Sequence, residues 1–329
     1  MNSSVSCVQQ TACRVKEAPW QCDDTTNGPL PNFIIAGASR SGTSSLHEYL
    51  RAHPNVFAPA LKELHFFERD ANFFDRDANF CGQSDAYRRH FHGWSGQSAI
   101  GEATPAYWLR GMTFDLQGNH RYCLEDDAGS RLAAALPAVK TIISLRNPVD
   151  RAYSQYCRNR RLGREKATSF LAALGEEQRG LRLPEKTRTC WIYHNQYAFH
   201  LRRWLELFPR QQLKVLIFEE WINKPGETIR ELCEYLDIDP TDCPSEFPKR
   251  NRGWEPRSKS WSRYVSPWLG RVPGLQRLER WNQRVGYDAL SLGDYQSAQD
   301  IFADEVAALE EILSRKIDGW HGCGDKEPV

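Results

Sequence analysis

The run Phe33-Ile34-Ile35-Ala36-Gly37-Ala38-Ser39-Arg40-Ser41-Gly42-Thr43-Ser44-Ser45-Leu46 constrains this chain more than any other. The apolar stretch between Pro31 and Gly37 reads as a buried parallel strand. A turn of small residues follows, and helix-like sequence runs on from Gly42 to His53. Strand, small-residue turn and helix start bring free backbone N–H groups and the positive end of a helix dipole to one point, which makes an anion site. The nucleotide-binding form of this turn is G-x-x-x-x-G-K-[ST]. Gly37 and Gly42 keep its spacing, but Thr43 stands where the lysine belongs, and the basic residue is Arg40, three positions earlier. An ATPase or GTPase needs that lysine on its β- and γ-phosphates. A loop holding one phosphate, with Arg40 aimed at a leaving group, fits these residues better. Ser39, Arg40, Ser41, Gly42, Thr43 and Ser44 are its candidate contacts.

A second segment has the same strand-turn-helix grammar. Val139 to Leu145 is β-rich, Asn147 suits a helix N-cap and Pro148 the first helical position. Val149, Ala152, Tyr153 and Tyr156 recur at helical spacing. Arg146 therefore ends a strand, and Ser154 lies two turns into the next helix. Together the two segments resemble the sulfotransferases that use 3′-phosphoadenosine 5′-phosphosulfate (PAPS). The resemblance implies an α/β fold of three layers, a central and mostly parallel sheet flanked by helices. It implies that the first loop cradles the 5′-phosphosulfate. It also implies that Arg146 and Ser154, from Arg146-Asn147-Pro148-x-x-Arg151-x-x-Ser154, hold the 3′-phosphate.

The resemblance runs over residues 32–320, closer to the heparan-sulfate and bacterial-type branch than to the cytosolic phenol and steroid branch. Lys62-Glu63-Leu64-His65-Phe66-Phe67 is similar to the segment that supplies a glutamate base in the first branch. His65 is the rival base, because the cytosolic branch uses histidine. The two are expected on opposite sides of the segment, so that one of them meets the acceptor. A carboxylate base implies a rate that rises with pH through an ionisation below neutrality. Gly101-Glu102-Ala103-Thr104-Pro105-Ala106-Tyr107 is similar to an E-K-T-P-x-Y element, which makes Glu102 and Thr104, with Glu63, acceptor-side candidates. Glu102 reads equally as a structural group at a strand end. Arg257, Ser258 and Lys259 sit where the family has a basic loop closing over the nucleotide. Two residues depart from the pattern. Ala103 replaces a lysine expected near the acceptor, and Ser39 stands where some relatives have a second basic residue. The implied reaction moves a sulfuryl group from PAPS, without a metal, to a hydroxyl or amine of a small molecule or glycan.

Composition sets the remaining bounds. At 329 residues with 40% hydrophobic content, the chain suits one large α/β domain over 32–320, with an irregular extension at 1–31 and a tail at 321–329. Residues 111–130 read as a polar insertion, and Thr168–Gly180, Asn195–Phe208 and Ser297–Leu313 as helices. The net charge of +1 says little about partners, and the lack of a recognisable module argues against a nucleic-acid one. No stretch has the apolar length of a membrane span and the N-terminus lacks a signal-like apolar run, so the expectation is a soluble, cytoplasmic protein. The Golgi lumen applies only if an anchor has been removed. Ten cysteines occur with no C-x-x-C pair and no zinc spacing. They are expected to be reduced thiols, although Cys233 and Cys243 are close enough in sequence to bridge across a loop.

Overall fold

The computed structural model describes residues 28–68, 80–114, 120–184, 189–248, 254–257 and 283–321. The chain begins with β1 (Phe33–Gly37), α1 (Thr43–Arg51), β2 (Val56–Phe57), α2 (Phe80–Arg88) and β3 (Ala99–Ala103). A hairpin, β4 (Met112–Phe114) and β5 (His120–Tyr122), occupies the polar insertion. Then come α3 (Ala128–Ala135), β6 (Lys140–Leu145), α4 (Pro148–Arg161), α5 (Phe170–Gln178) and α6 (Tyr197–Leu207). The last part holds β7 (Leu213–Ile217), α7 (Phe218–Trp221), α8 (Pro225–Tyr235), β8 (Trp254–Pro256), β9 (Gln283–Val285) and α9 (Leu292–Leu313).

Five strands form one parallel sheet in the order β2-β3-β1-β6-β7. Successive strand side chains point to opposite faces, and the burial follows that rule. Phe33, Ile35 and Ile142 join the core under α1 and α8. Ile34, Ala36, Ile143 and Leu145 join the core with Leu132 of α3, Leu201 and Trp204 of α6 and Leu309 of α9. A sheet buried on both faces gives the three layers, and it explains why the strands read as continuous apolar runs. A further apolar cluster packs α4 (Ala152, Tyr156) against α5 (Phe170, Leu174) and α9 (Phe302).

The chain leaves β1 toward one edge and returns to its other side at β6, so β1 lies at the topological switch point. In sheets of this kind, ligands bind beyond the carboxyl ends of the strands at that point. The helix starts there follow sequence chemistry. Asn147 Oδ1 accepts from the Val149 and Asp150 N–H groups, with Pro148 at the first position of α4. α9 starts earlier than its periodicity suggests, because Ser291 caps it through the Asp294 N–H. Cys123, Cys157, Cys190, Cys233 and Cys243 are free thiols. The Cys233 and Cys243 sulfurs lie 3.3 Å apart beside His53, whose Nδ1 accepts from the Asn55 N–H and whose Nε2 meets the Asp239 carbonyl. Among the described residues, no helix is long and apolar enough to cross a membrane.

One register contact tests this packing. Phe33 on β1 pairs with Gly101 on β3, and a Cβ at Gly101 would stand 2.2–2.4 Å from the Phe33 ring. Gly101→Ala should lower the unfolding free energy by about 1–3 kcal/mol, the usual range for overpacking a core. Phe33→Leu should relieve part of that loss, so denaturant melts of the double variant should fall short of the summed single losses; strict additivity would contradict the contact.

Candidate active site

The turn after β1 is held from below by the next strand. The Ala38 N–H donates to the Ser144 carbonyl at 2.8 Å, and Ser144 Oγ donates to the Ser41 carbonyl at 2.6 Å. Trp221 Nε1 in turn donates to Ser144 Oγ at 2.9 Å, so β6 and α7 fix the backbone of the loop. Gly42 caps α1 in the left-handed region at φ 79°. A Cβ there would stand 2.3 Å from the Trp221 ring, so both conformation and space require glycine. Gly42 has no side chain to cap the helix. The first N–H groups of α1, at Thr43 and Ser44, have no acceptor within the helix. Ser41 Oγ is buried with no partner. These are the features of a cradle for a phosphate-sized anion.

Two arginines approach the cradle. Arg146, just past β6, lies against the Phe218 ring at 5.1 Å, and its Nε is buried without a partner. Its Nη1 reaches the Arg40 carbonyl at 3.4 Å. Arg40 is left-handed at φ 71°, and its Nε donates to Ser154 Oγ at 3.0 Å. The sequence assigned Arg40 and Ser154 to opposite ends of a nucleotide; here they touch. Arg40 Nη2 also donates to Tyr287 Oη at 2.9 Å. Burial lowers the Arg40 pKa from its ordinary value, and the charges of Arg146, Arg158 and Arg161 lower it further. Neither Arg40 nor Arg146 forms an ion pair with a carboxylate of the described residues. Tyr287 carried no signal in the sequence. It follows β9, and β9 pairs with β8, which lies against α4. Arg257, expected over the nucleotide, follows β8, is exposed, and makes no hydrogen bond or ion pair with the described residues. Ser258 and Lys259 lie outside the described residues.

The other half of the site lies at the end of β3. The Glu63 N–H donates to the Ala103 carbonyl at 3.0 Å, which places the 62–68 segment beside the carboxyl ends of β1 and β3. Glu63 and His65 are both left-handed, at φ 65° and 53°. Expecting them on opposite sides was wrong: alternation puts residues two apart on the same side, and Glu63 Oε2 lies 3.6 Å from His65 Nε2. Lys62 Nζ donates to Glu63 Oε1 at 3.0 Å. On the far side of the imidazole, His65 Nδ1 meets Glu68 at 3.0 Å. Contact with His65, helped by Lys62, holds the Glu63 carboxyl down at about 2. The Glu63 and Glu68 carboxylates together raise His65 to about 10. Glu63 and His65 keep 48% and 45% of their side-chain surface exposed, while Glu68 is buried. Glu68 was not singled out from the sequence, although Glu63-x-His65-x-x-Glu68 places three titratable groups within six residues.

Glu102 and Thr104 do not open onto this space. Both are buried, and Thr104 Oγ1 donates to Glu102 Oε2 at 2.6 Å. Tyr87 and Tyr107 donate to Glu102 Oε1 at 2.8 and 3.1 Å. Burial raises the Glu102 pKa. Tyr107 Oη also accepts the Phe66 N–H at 2.9 Å. Glu102 and Thr104, expected to contact the acceptor, are both buried in this network. Three hydroxyls bond the carboxyl, and the network anchors the segment that carries Glu63 and His65.

Comparison with known proteins agrees with this geometry. Residues 31–242 match the sequence model of the Sulfotransferase family. The chain is 29% identical over 241 residues to the human bifunctional heparan sulfate N-deacetylase/N-sulfotransferase 2, covering 67% of this chain and 25% of that protein. It is 28% identical over 217 residues to the mouse heparan sulfate glucosamine 3-O-sulfotransferase 3A1, covering 65% of this chain and 48% of that one. The chain thus spans between a quarter and a half of these curated relatives. A solved sulfotransferase from Alicyclobacillus acidocaldarius superposes with a TM-score of 0.62 at 28% identity, over 89% of this chain and 100% of that one. The matched span contains β1, its phosphate-sized cradle, the Glu63 segment, Arg146 and Ser154, and the chain belongs to the sulfotransferase family.

Proposed function

We propose that the protein transfers a sulfuryl group from PAPS to a hydroxyl or amine of a glycan or small molecule. The observation that carries this reading is the cradle at the start of α1, flanked by Arg40 and Arg146, neither of which has a carboxylate partner among the described residues. Buried polar atoms without partners are costly, and the Ser41 hydroxyl and Arg146 Nε are two such atoms that an anion would satisfy. PAPS supplies a sulfuryl group whose departure leaves negative charge on a 5′-phosphate. The N–H groups of Thr43 and Ser44 would hold that phosphate. Arg146 and Ser154 would take the 3′-phosphate. Arg40 would give up Ser154 and Tyr287 to meet the charge that develops on the leaving oxygen. Positioned charge of this kind commonly supplies the largest single part of catalysis. The named relatives act on heparan sulfate, which supports a glycan acceptor.

Glu63 is the base in this scheme. A carboxylate held at about 2 is ionised across the physiological range, whereas a histidine raised to about 10 carries its proton there and cannot accept another. His65 then positions the Glu63 carboxylate from one side as Lys62 does from the other.

The direct assay is transfer of labelled sulfuryl from PAPS to a panel of glycan and phenolic acceptors. Failure to turn over PAPS with any of them, and failure to bind 3′,5′-adenosine diphosphate, would reject the reading. Arg40→Ala should reduce kcat about 100- to 1,000-fold, the scale of one removed charge-stabilising donor, with a much smaller change in donor KM. Near wild-type kcat would remove Arg40 from the chemistry.

The pH profile separates the two candidate bases. With Glu63 acting, its ionisation lies near 2 and His65 stays cationic up to about 10. The rate on a hydroxyl acceptor should therefore be flat between about pH 5 and 9. Glu63→Gln should lose most activity across that whole window while keeping donor affinity. A wild-type rate that climbs through an ordinary histidine ionisation, together with an active Glu63→Gln, would move the base to His65.

A further inference from the structure

We propose that Arg158 is a second cation for the 3′-phosphate of the donor nucleotide, and that it sets the preference for a 3′-phosphorylated ligand over a plain 5′-nucleotide. The inference rests on the PAPS reading and adds a residue that the R-N-P-x-x-R-x-x-S segment does not contain.

Helix α4 carries four arginines, Arg151, Arg158, Arg160 and Arg161, and Arg151 and Arg160 have structural work. Arg151 is buried and donates to Asn195 Oδ1. Arg160 donates to Tyr156 Oη at 3.0 Å and to the Thr168 carbonyl at 3.1 Å, on the side facing α5. Arg164, past the end of α4, is exposed. Arg158 differs from these. It is half-buried, and its guanidinium makes no hydrogen bond or ion pair with the described residues. It follows Ser154 by four residues, so the two share a helix face. Helical side chains lean toward the N-terminus, which is the direction of Ser154 from Arg158.

Ser154 Oγ is already the meeting point of the basic groups, since Arg40 Nε binds it at 3.0 Å. Arg158 lies close enough for its charge to depress Arg40, as do Arg146 and Arg161. Repulsion among Arg40, Arg146 and Arg158, none of which pairs with a carboxylate of the described residues, is a cost that a dianionic phosphate on Ser154 would reverse. A single arginine and a hydroxyl satisfy only part of such a group. A second guanidinium approaching along the helix face completes the coordination and provides charge-assisted contacts.

The test is calorimetric titration with 3′,5′-adenosine diphosphate and with adenosine 5′-monophosphate, on the wild type, Arg158→Gln and Arg160→Gln. Arg160→Gln removes the same charge from the other side of the same helix. The wild type should prefer the 3′-phosphorylated ligand. Arg158→Gln should weaken that ligand about 10- to 100-fold, the scale of one charged hydrogen bond, and leave the monophosphate nearly unchanged. Arg158→Lys should recover part of the loss. Arg160→Gln should leave the ratio of the two affinities intact. An unchanged ratio in Arg158→Gln, in an enzyme that does prefer the 3′-phosphate, overturns the role of Arg158 alone. A wild type that binds both ligands alike overturns the PAPS reading and this assignment with it.

Discussion

The site depends on a lack of space above Gly42. Its backbone is left-handed at φ 79°, and the Trp221 ring lies where a Cβ would be, at 2.3 Å. The same indole donates to Ser144 Oγ, which donates to the Ser41 carbonyl. One side chain from α7 thus sets the turn at the helix start and, through a serine of β6, the carbonyl two bonds upstream along the loop. The loop cannot collapse onto its own helix, and the first N–H groups of α1 stay directed outward. Preorganised donors of this kind need no rearrangement when charge develops on a bound group.

The charges around that loop are divided in a way that suits group transfer. On the β6 and α4 side, Arg40 and Arg146 approach Ser154 and the loop without carboxylate partners among the described residues. On the β3 side, Lys62, Glu63, His65 and Glu68 form an alternating chain of cations and anions. The first group is suited to binding an anion and to stabilising a leaving oxygen. The second holds one exposed carboxylate ionised and in place. The buried Glu102 network, through Tyr107 and the Phe66 N–H, fixes the second group relative to the sheet. The two halves meet at the carboxyl ends of β1 and β3, where a donor and an acceptor could be brought into line.

Much of this was legible because it is local. Gly37 and Gly42, the N-cap Asn147 with Pro148, and the apolar run Phe33–Ala36 each specify a backbone conformation from adjacent residues, and β1, α1, β6 and α4 follow from them. What was not legible depends on distant pairing. β3 showed in the sequence only as a strand end at Glu102; its full burial comes with its pairing between β1 and β2, with Gly101 against the Phe33 ring. Tyr287 reaches Arg40 only because β8 and β9 pair across a long separation. Arg257 carried the more obvious basic signal and is exposed at the other end of the same hairpin. Glu63 and His65 meet with left-handed backbone at both residues, a conformation uncommon for residues other than glycine. Glu102 and Thr104 look like acceptor-side polar groups in sequence. Their burial under Tyr87 and Tyr107 appears only once the strand is in place.

The central claim is that the cradle and its arginines form the PAPS site, with Arg40 free to exchange partners. A crystal structure with 3′,5′-adenosine diphosphate tests it most directly. The account predicts the 5′-phosphate on the N–H groups of Thr43 and Ser44, the 3′-phosphate on Ser154 and Arg146, and the contact of Arg40 Nε with Ser154 Oγ, 3.0 Å in the free protein, broken. A nucleotide bound elsewhere, or one bound at the cradle with Arg40 still on Ser154 and the 3′-phosphate turned to solvent, would contradict it.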